Sequence, residues 1–306
     1  MSEPETAAST PAVAPESDVI HDIGFRHYDG LRLGRGWVVR SLLVETVRGV
    51  FGLGRPAKSK VMPWILIGIL LIPPLPMGLS VLLIGGDDLP TSYAQYPNAF
   101  SLVIVLFVAA AAPYCVSRDM RHQVMPLYFS RPMRRNDYVL AKFAGLSISL
   151  FAVLALGETL LLTGALLAKL DLSDQLVGWA GGLLVSALLA LILSAVSLVI
   201  AAFTPRRGLG VAAIITSLVV LSGIVELLIE ITRQKGYETL ASYLPLLEPF
   251  SIVDGIAVQL LGASSSREHQ VPTDLAGALA YVLVAAVVVG GAWLVLNRRY
   301  RKVGGV

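Results

Sequence analysis

One cysteine, Cys115, stands in 306 residues. A single thiol excludes an intramolecular disulfide framework and any zinc site built from several cysteines. It closes an apolar run, where a cysteine serves as a small packing residue. Histidine is almost as scarce. His21, His27, His122 and His269 are scattered, and none forms an HExxH or similar ligand pair. Charge is thin too: 15% of the residues are charged, where a soluble domain carries about a quarter. Basic residues are missing from Met1 to Ile20, a stretch rich in Ala, Pro, Ser and Glu. It has neither the charged n-region nor the apolar h-region of a signal peptide, and it reads as a disordered cytosolic tail. The first membrane span is then expected to act as its own targeting signal.

What the chain has is apolar sequence, 55% of all residues, collected in blocks. A helix needs about 20 residues to cross the hydrocarbon core. Six blocks reach that length or come close: about Val61 to Ile84, Phe100 to Val116, Phe143 to Leu167, Leu176 to Phe203, Leu209 to Ile231 and Leu275 to Leu296. The fold class expected is an all-α integral membrane protein with six transmembrane helices over 61–296. Span 1 contains Pro63, Pro73, Pro74 and Pro76, so a kink or break near its middle is expected. Asp171 to Gln175 reads as a tight polar turn between spans 3 and 4.

Ahead of span 1, Trp37 to Gly52 gathers Arg40, Ser41, Glu45 and Arg48 on one helical arc. Val39, Leu42, Leu43, Val47 and Val50 take the other. Such a helix is too polar to cross the bilayer and suited to lying along it. GLGRPAKS, from Gly52 to Ser59, resembles the phosphate-binding pattern GxxxxGK followed by Ser or Thr, but Ala57 stands where the second glycine is needed and a membrane span follows. It is rejected as a nucleotide site. Arg55, Lys58 and Lys60 read as a basic collar at the lipid headgroups. Between spans 5 and 6, Ser251 to Leu261 is apolar but too short to span, which suggests a re-entrant or interfacial helix.

The basic residues set the expected orientation. With the N-terminus cytosolic and six spans, twenty of the 24 Lys and Arg residues fall on the cytosolic side. Only Lys169, Arg233, Lys235 and Arg267 fall outside. This asymmetry follows the positive-inside rule and places both termini, including the basic tail over 297–306, in the cytosol.

Ser117 to Lys142 (SRDMRHQVMPLYFSRPMRRNDYVLAK) is far richer than a connecting turn requires. Arg118, Asp119 and Arg121 precede Val124, Met125, Leu127, Tyr128 and Phe129. Pro132 breaks the chain, and Arg134 and Arg135 lead to Asn136 or Asp137 as N-cap of span 3. Apolar and aromatic side chains framed by arginines suit a docking surface. They equally suit an amphipathic helix on the inner leaflet with its arginines at lipid phosphates.

Ser117-Arg118-Asp119, then Ser130-Arg131-Pro132, then Arg135-Asn136-Asp137-Tyr138 leading into span 3, resemble the permease subunits of ABC transporters of the ABC-2 type. The nearest likeness is to the bacterial permeases associated with multicopper-enzyme maturation and gliding. The resemblance covers the whole membrane part. It implies an elbow helix over 37–60, a coupling helix between spans 2 and 3, and a re-entrant element before span 6. It departs from the simplest pattern in the long extension over 1–36 and in the proline content of span 1. The resemblance also implies partners: a second permease chain, identical or related, and a separate ABC ATPase that binds ATP and Mg. This chain would bind no cofactor itself. The docking residues implied are Arg118, Asp119, Met125, Leu127, Tyr128, Arg131 and Pro132. The product expected is export across the cell membrane.

Acidic residues inside spans are costly, so Glu158 in span 3 and Glu226 and Glu230 in span 5 are candidates for the translocation path or a cation contact. The alternatives are a helix–helix hydrogen bond for Glu158, and exposure at the outer interface or an i,i+3 pair with Arg233 for Glu230. A membrane-embedded enzyme using these three carboxylates lacks any recognisable nucleophile or His pair. A non-transporting scaffold subunit is the remaining reading. Nothing in the sequence points to nucleic acid.

Overall fold

The computed structural model describes residues 30, 33–54, 56–84, 88–121, 128, 133–204, 206–263, 265, 271–272 and 274–303. The chain divides into Met1–Leu33 and Gly34–Val306, and every helix below belongs to the second unit. The irregular extension expected over 1–36 lies outside the described residues as far as residue 29, while Arg35 and Gly36 already open the first helix.

Among the described residues the secondary structure is helical throughout. In lipid, a chain must satisfy its backbone within the segment, and the apolar blocks do so as helices. Helix α1 is Arg35–Val50, α2 Ala57–Leu71, α3 Pro74–Ile84, α4 Tyr96–Ala99, α5 Ser101–Arg121 and α6 Arg135–Leu167. Then come α7 Leu172–Phe203, α8 Arg207–Gln234, α9 Glu238–Tyr243, a 3-10 turn Leu244–Leu247, α10 Pro249–Leu261 and α11 Leu275–Val303. Among the described residues six helical segments are long and apolar enough to cross a bilayer: Lys60–Leu83, Ser101–Arg121, Arg135–Leu167, Leu172–Phe203, Arg207–Gln234 and Leu275–Arg301. The chain is a multi-pass membrane protein.

Span 1 is broken as its prolines dictate, with α2 ending at Leu71 and α3 starting at Pro74. Pro73 and Pro74 have no N–H, so the carbonyls of Ile69 and Leu70 lose their helical donors. The two halves keep different company. α3 packs on α6, where Gly78 and Gly164 bring backbone against backbone; α2 packs on α5 and, more lightly, on α6.

Several helices run past their apolar blocks. α6 begins at Arg135 rather than Phe143, α7 at Leu172 rather than Leu176, and α11 continues through the basic tail to Val303. Charged residues end a hydropathy run but not a helix, since Arg, Lys and Glu are good helix formers. The turn between α6 and α7 is correspondingly short. Leu170 N–H donates to the Ala165 carbonyl at 3.2 Å and Lys169 N–H to that of Leu166 at 3.0 Å, with Lys169 left-handed at φ 61°. Asp171 then caps α7, accepting from the Ser173 and Asp174 amides at 2.8 and 3.4 Å. These bonds hold its carboxyl below the usual aspartate range.

α1 lies on α6 and α5 with Leu42, Thr46, Gly49 and Val50 buried, and with Arg40, Ser41, Glu45 and Arg48 exposed, as the helical arcs require. α7 occupies the centre, touching α5, α6, α8, α10 and α11. Between spans 5 and 6 the chain turns through 118° from α9 and the 3-10 turn into α10. Glu248 caps α10 by accepting from the Ser251 amide at 2.6 Å, and every residue from Pro249 to Ala257 is buried. That is the environment a short apolar helix needs to sit at membrane depth.

Candidate functional site

One end of the bundle collects α1, the end of α5, the start of α6, the end of α7 and the end of α11. Contacts across it fix this arrangement: Arg35 to Asp137, Tyr138 to Asp119 and Tyr300, Ser117 to the Ala201 carbonyl, and Arg299 over Phe203. The segment singled out from the sequence opens here. Met125, Leu127, Arg131 and Pro132 lie outside the described residues. Arg118 stands in the last turn of α5. Asp119 and Tyr128 have described side chains.

Asp119 faces inward. Its Oδ2 accepts from the Tyr138 hydroxyl at 2.7 Å and pairs with Lys142 Nζ at 3.0 Å. The carboxylate is 13% exposed and the ammonium 8%, so both charges have left water. A buried pair recovers its desolvation only when geometry and hydrogen bonding are good, which the Tyr138 hydroxyl provides. The Tyr138 ring is fully buried, 5.6 Å from the ring centroid of Tyr128 and 5.2 Å, edge-on, from that of Tyr300. Lys142 Nζ also stands 5.5 Å from the Tyr138 centroid, a cation–π distance.

Beside this cluster, Arg35 of α1 grips Asp137 of α6 with two bonds, Nε to Oδ2 at 2.7 Å and Nη2 to Oδ1 at 2.5 Å. Asp137 Oδ2 also accepts from the Arg134 amide at 2.9 Å. Asp137 is therefore not the N-cap expected from the sequence; Arg134 holds that position, and Asp137 secures it from inside the first turn. The carboxylate raises the affinity of the Arg35 guanidinium for its proton. Along α1 runs a groove of about 880 Å³ whose walls include Trp37, Arg40, Glu45, Arg48, Tyr114 and Tyr128. Charges of both signs alternate there with aromatic rings.

The intramembrane carboxylates lie elsewhere, Glu158 on α6 and the pair Glu226 and Glu230 one turn apart on α8. Glu158 is fully buried between α6 and α7, where its Oε1 accepts from Ser186 Oγ at 2.5 Å, while Oε2 has no hydrogen-bond partner among the described residues. Glu226 is half-buried on α8 and Glu230 exposed. Glu230 accepts from Gln234 Nε2 at 2.8 Å. Among the described residues no three His, Cys, Asp or Glu side chains stand close enough to hold a metal.

Sequence reasoning gave no role to several polar side chains that the fold brings together. Arg35, Tyr138, Lys142 and Tyr300 complete the cluster at the basic end. Asp254, buried in α10, accepts from Asn98 Nδ2 at 3.2 Å and from Ser265 Oγ at 2.9 Å. The signal for Asp254 was present, an acid within the apolar run SIVDGIAVQLL. The signal for Tyr300 was not, because a tyrosine among arginines reads as a headgroup anchor.

No curated protein matches the chain. Residues 14–300 match the family model described as ABC-2 family transporter protein.

Proposed function

The chain belongs to the ABC-2 transporter family, and on that premise we propose that it is the permease subunit of an ATP-driven exporter, worked by a separate ATPase that docks on the 117–142 segment. Two permease chains pair in the cell membrane with both termini in the cytosol, and ATP and Mg stay on the partner. ATP binding closes the ATPases and shifts the permeases between inward- and outward-facing states. The observation that carries the reading is the convergence at one end of the bundle: the docking segment leaves α5 and enters α6 beside the amphipathic α1 and its mixed-charge, aromatic groove. A docking surface has that composition. The six-span reading puts twenty of the 24 Lys and Arg residues in the segments on the side of 117–142, which the positive-inside rule assigns to the cytosol, where ATP is.

In this reading Glu158 holds spans 3 and 4 together through Ser186, and Glu226 and Glu230 are the carboxylates left to the translocation path. Glu158 lies between α6 and α7 while Glu226 and Glu230 lie on α8, and no recognisable nucleophile or His pair accompanies them among the described residues, which favours transport over a carboxylate-based enzyme.

Affinity purification of the chain with its cognate ATPase, followed by ATP hydrolysis in proteoliposomes, tests the proposal. Wild type should retain the ATPase and stimulate its hydrolysis. Arg118→Glu combined with Leu127→Asp should abolish both. Unchanged co-elution in that variant would sink the docking assignment.

A further inference from the structure

The cluster at the basic end joins elements that a docking segment would need to move. Asp119 stands in the last turn of α5, where the segment starts, and Tyr128 lies further along it. Tyr138 and Lys142 belong to α6, which receives the segment's other end, and Tyr300 belongs to α11. Tyr138 is the common neighbour. Its hydroxyl is bonded to Asp119, one side of its ring meets Tyr128, and Tyr300 meets it edge-on.

Among the described residues α11 is held at this end by Leu296, which is buried, and by Tyr300. Arg299 stands 5.0 Å from the Phe203 ring centroid, and much of the helix presents Leu279, Leu283, Val287 and Leu294 outward. Tyr300, by contrast, is 1% exposed and the largest side chain that α11 buries there. Its hydroxyl has no hydrogen-bond partner among the described residues, so the ring is what binds it in place.

A buried ion pair is weak evidence for stability, since apolar side chains of similar volume hold helices as well or better. What the pair adds is direction. The Asp119 carboxylate cannot stay bonded to both Tyr138 and Lys142 if α5 slides against α6. Tyr138 cannot turn without displacing the ring of Tyr300.

We infer that Asp119, Lys142, Tyr138 and Tyr300 form the joint through which movement of the docking segment reaches α11, the sixth span. The inference rests on the docking reading above and extends it by naming the helix that is driven. Asp119 and Lys142 set the position of Tyr138, and Tyr300 carries its displacement into α11. The four are positioning residues.

The test uses the full permease–ATPase complex in proteoliposomes. Cys115→Ala removes the native thiol, and Arg298→Cys, an exposed position beside Tyr300, carries an environment-sensitive fluorophore. ATP should change its emission. Tyr300→Leu should leave ATPase co-elution intact while the ATP-dependent change falls roughly three- to tenfold, the range expected for a coupling residue. Tyr300→Phe, which gives up only the unbonded hydroxyl, should keep the wild-type response. Tyr138→Phe keeps both rings in place and loses the bond to Asp119; it should also retain the ATPase and lose most of the signal, and it serves if Tyr300→Leu does not accumulate. An undiminished response in Tyr300→Leu or in Tyr138→Phe overturns the joint, as does a Tyr300→Phe variant as defective as the leucine. If wild type itself fails to hold the ATPase, the docking reading falls first and the joint with it.

Discussion

The Tyr96 hydroxyl donates to the Leu70 carbonyl at 2.7 Å, and that carbonyl is one of the two that Pro73 and Pro74 leave without a helical donor. A side chain from the connection between spans 1 and 2 thus closes a gap in the backbone of span 1. Both residues are fully buried, so water has no access to do the same work. Tyr96→Phe should cost about 1–3 kcal/mol, the desolvation penalty of an unpaired buried carbonyl. Pro74→Ala in the same background returns a helical N–H to Leu70 and should recover part of the loss. Unfolding in mixed micelles of the single and double variants measures the coupling.

The Tyr96 ring lies against Gly157 of α6, so closely that a Cβ there would overlap the hydroxyl and the ring edge. The tyrosine is tied at its far end and has nowhere to retreat. Gly157→Ala should therefore destabilise by about 1–3 kcal/mol, the usual cost of overpacking. Gly223 of α8 has open space where its Cβ would go. Gly223→Ala should raise stability by up to roughly 1 kcal/mol through helix propensity. Opposite signs in the two alanine variants, read from the same unfolding assay, are the expected result.

Asp171 gives a pH dependence of known sign. Its bonds to the first turn of α7 lower its folded value beneath the ordinary 3.8. Its contribution is present above the unfolded value and is lost as pH falls through the folded one. Acid should loosen the α6–α7 turn, and Asp171→Ala should remove that acid response while fraying the start of α7 at every pH. Hydrogen exchange at the amides of Ser173 and Asp174, followed across the acid range, reads this directly.

Arg35 should report on how α1 is held. It is 45% exposed at the side chain, so its pair with Asp137 is screened by solvent. Its value is local. Arg35→Ala should speed amide exchange within α1 and leave the core of α7 unchanged. Arg35→Lys should not restore protection fully, because an ammonium cannot reproduce the two-bond fork.

The six spans were legible because the bilayer sets a length and a polarity that a sequence must meet. The break in span 1 was legible because proline removes a donor wherever it stands. The bonds across helices were not. Tyr96 meets Leu70, Asp254 meets Asn98 and Tyr138 meets Asp119 through rotations and offsets that hydropathy does not record. The helix ends were misplaced for a related reason, since α6 and α11 leave the apolar zone and stay helical among arginines. Asp119 shows the mixture well. Its place in the docking segment could be read from the order of the motifs, but the inward turn of its side chain onto Lys142 depends on a partner more than twenty residues away.

Gly78 and Gly164 leave no side chain between α3 and α6, so that half of span 1 travels with α6, while α2 has α5 as its main neighbour. Span 1 is two helical pieces whose main neighbours differ. α5 and α6 are also the helices that flank the docking segment. A change of angle between them would be taken up most cheaply at Ile72–Pro73, where the ladder of helical bonds is already open.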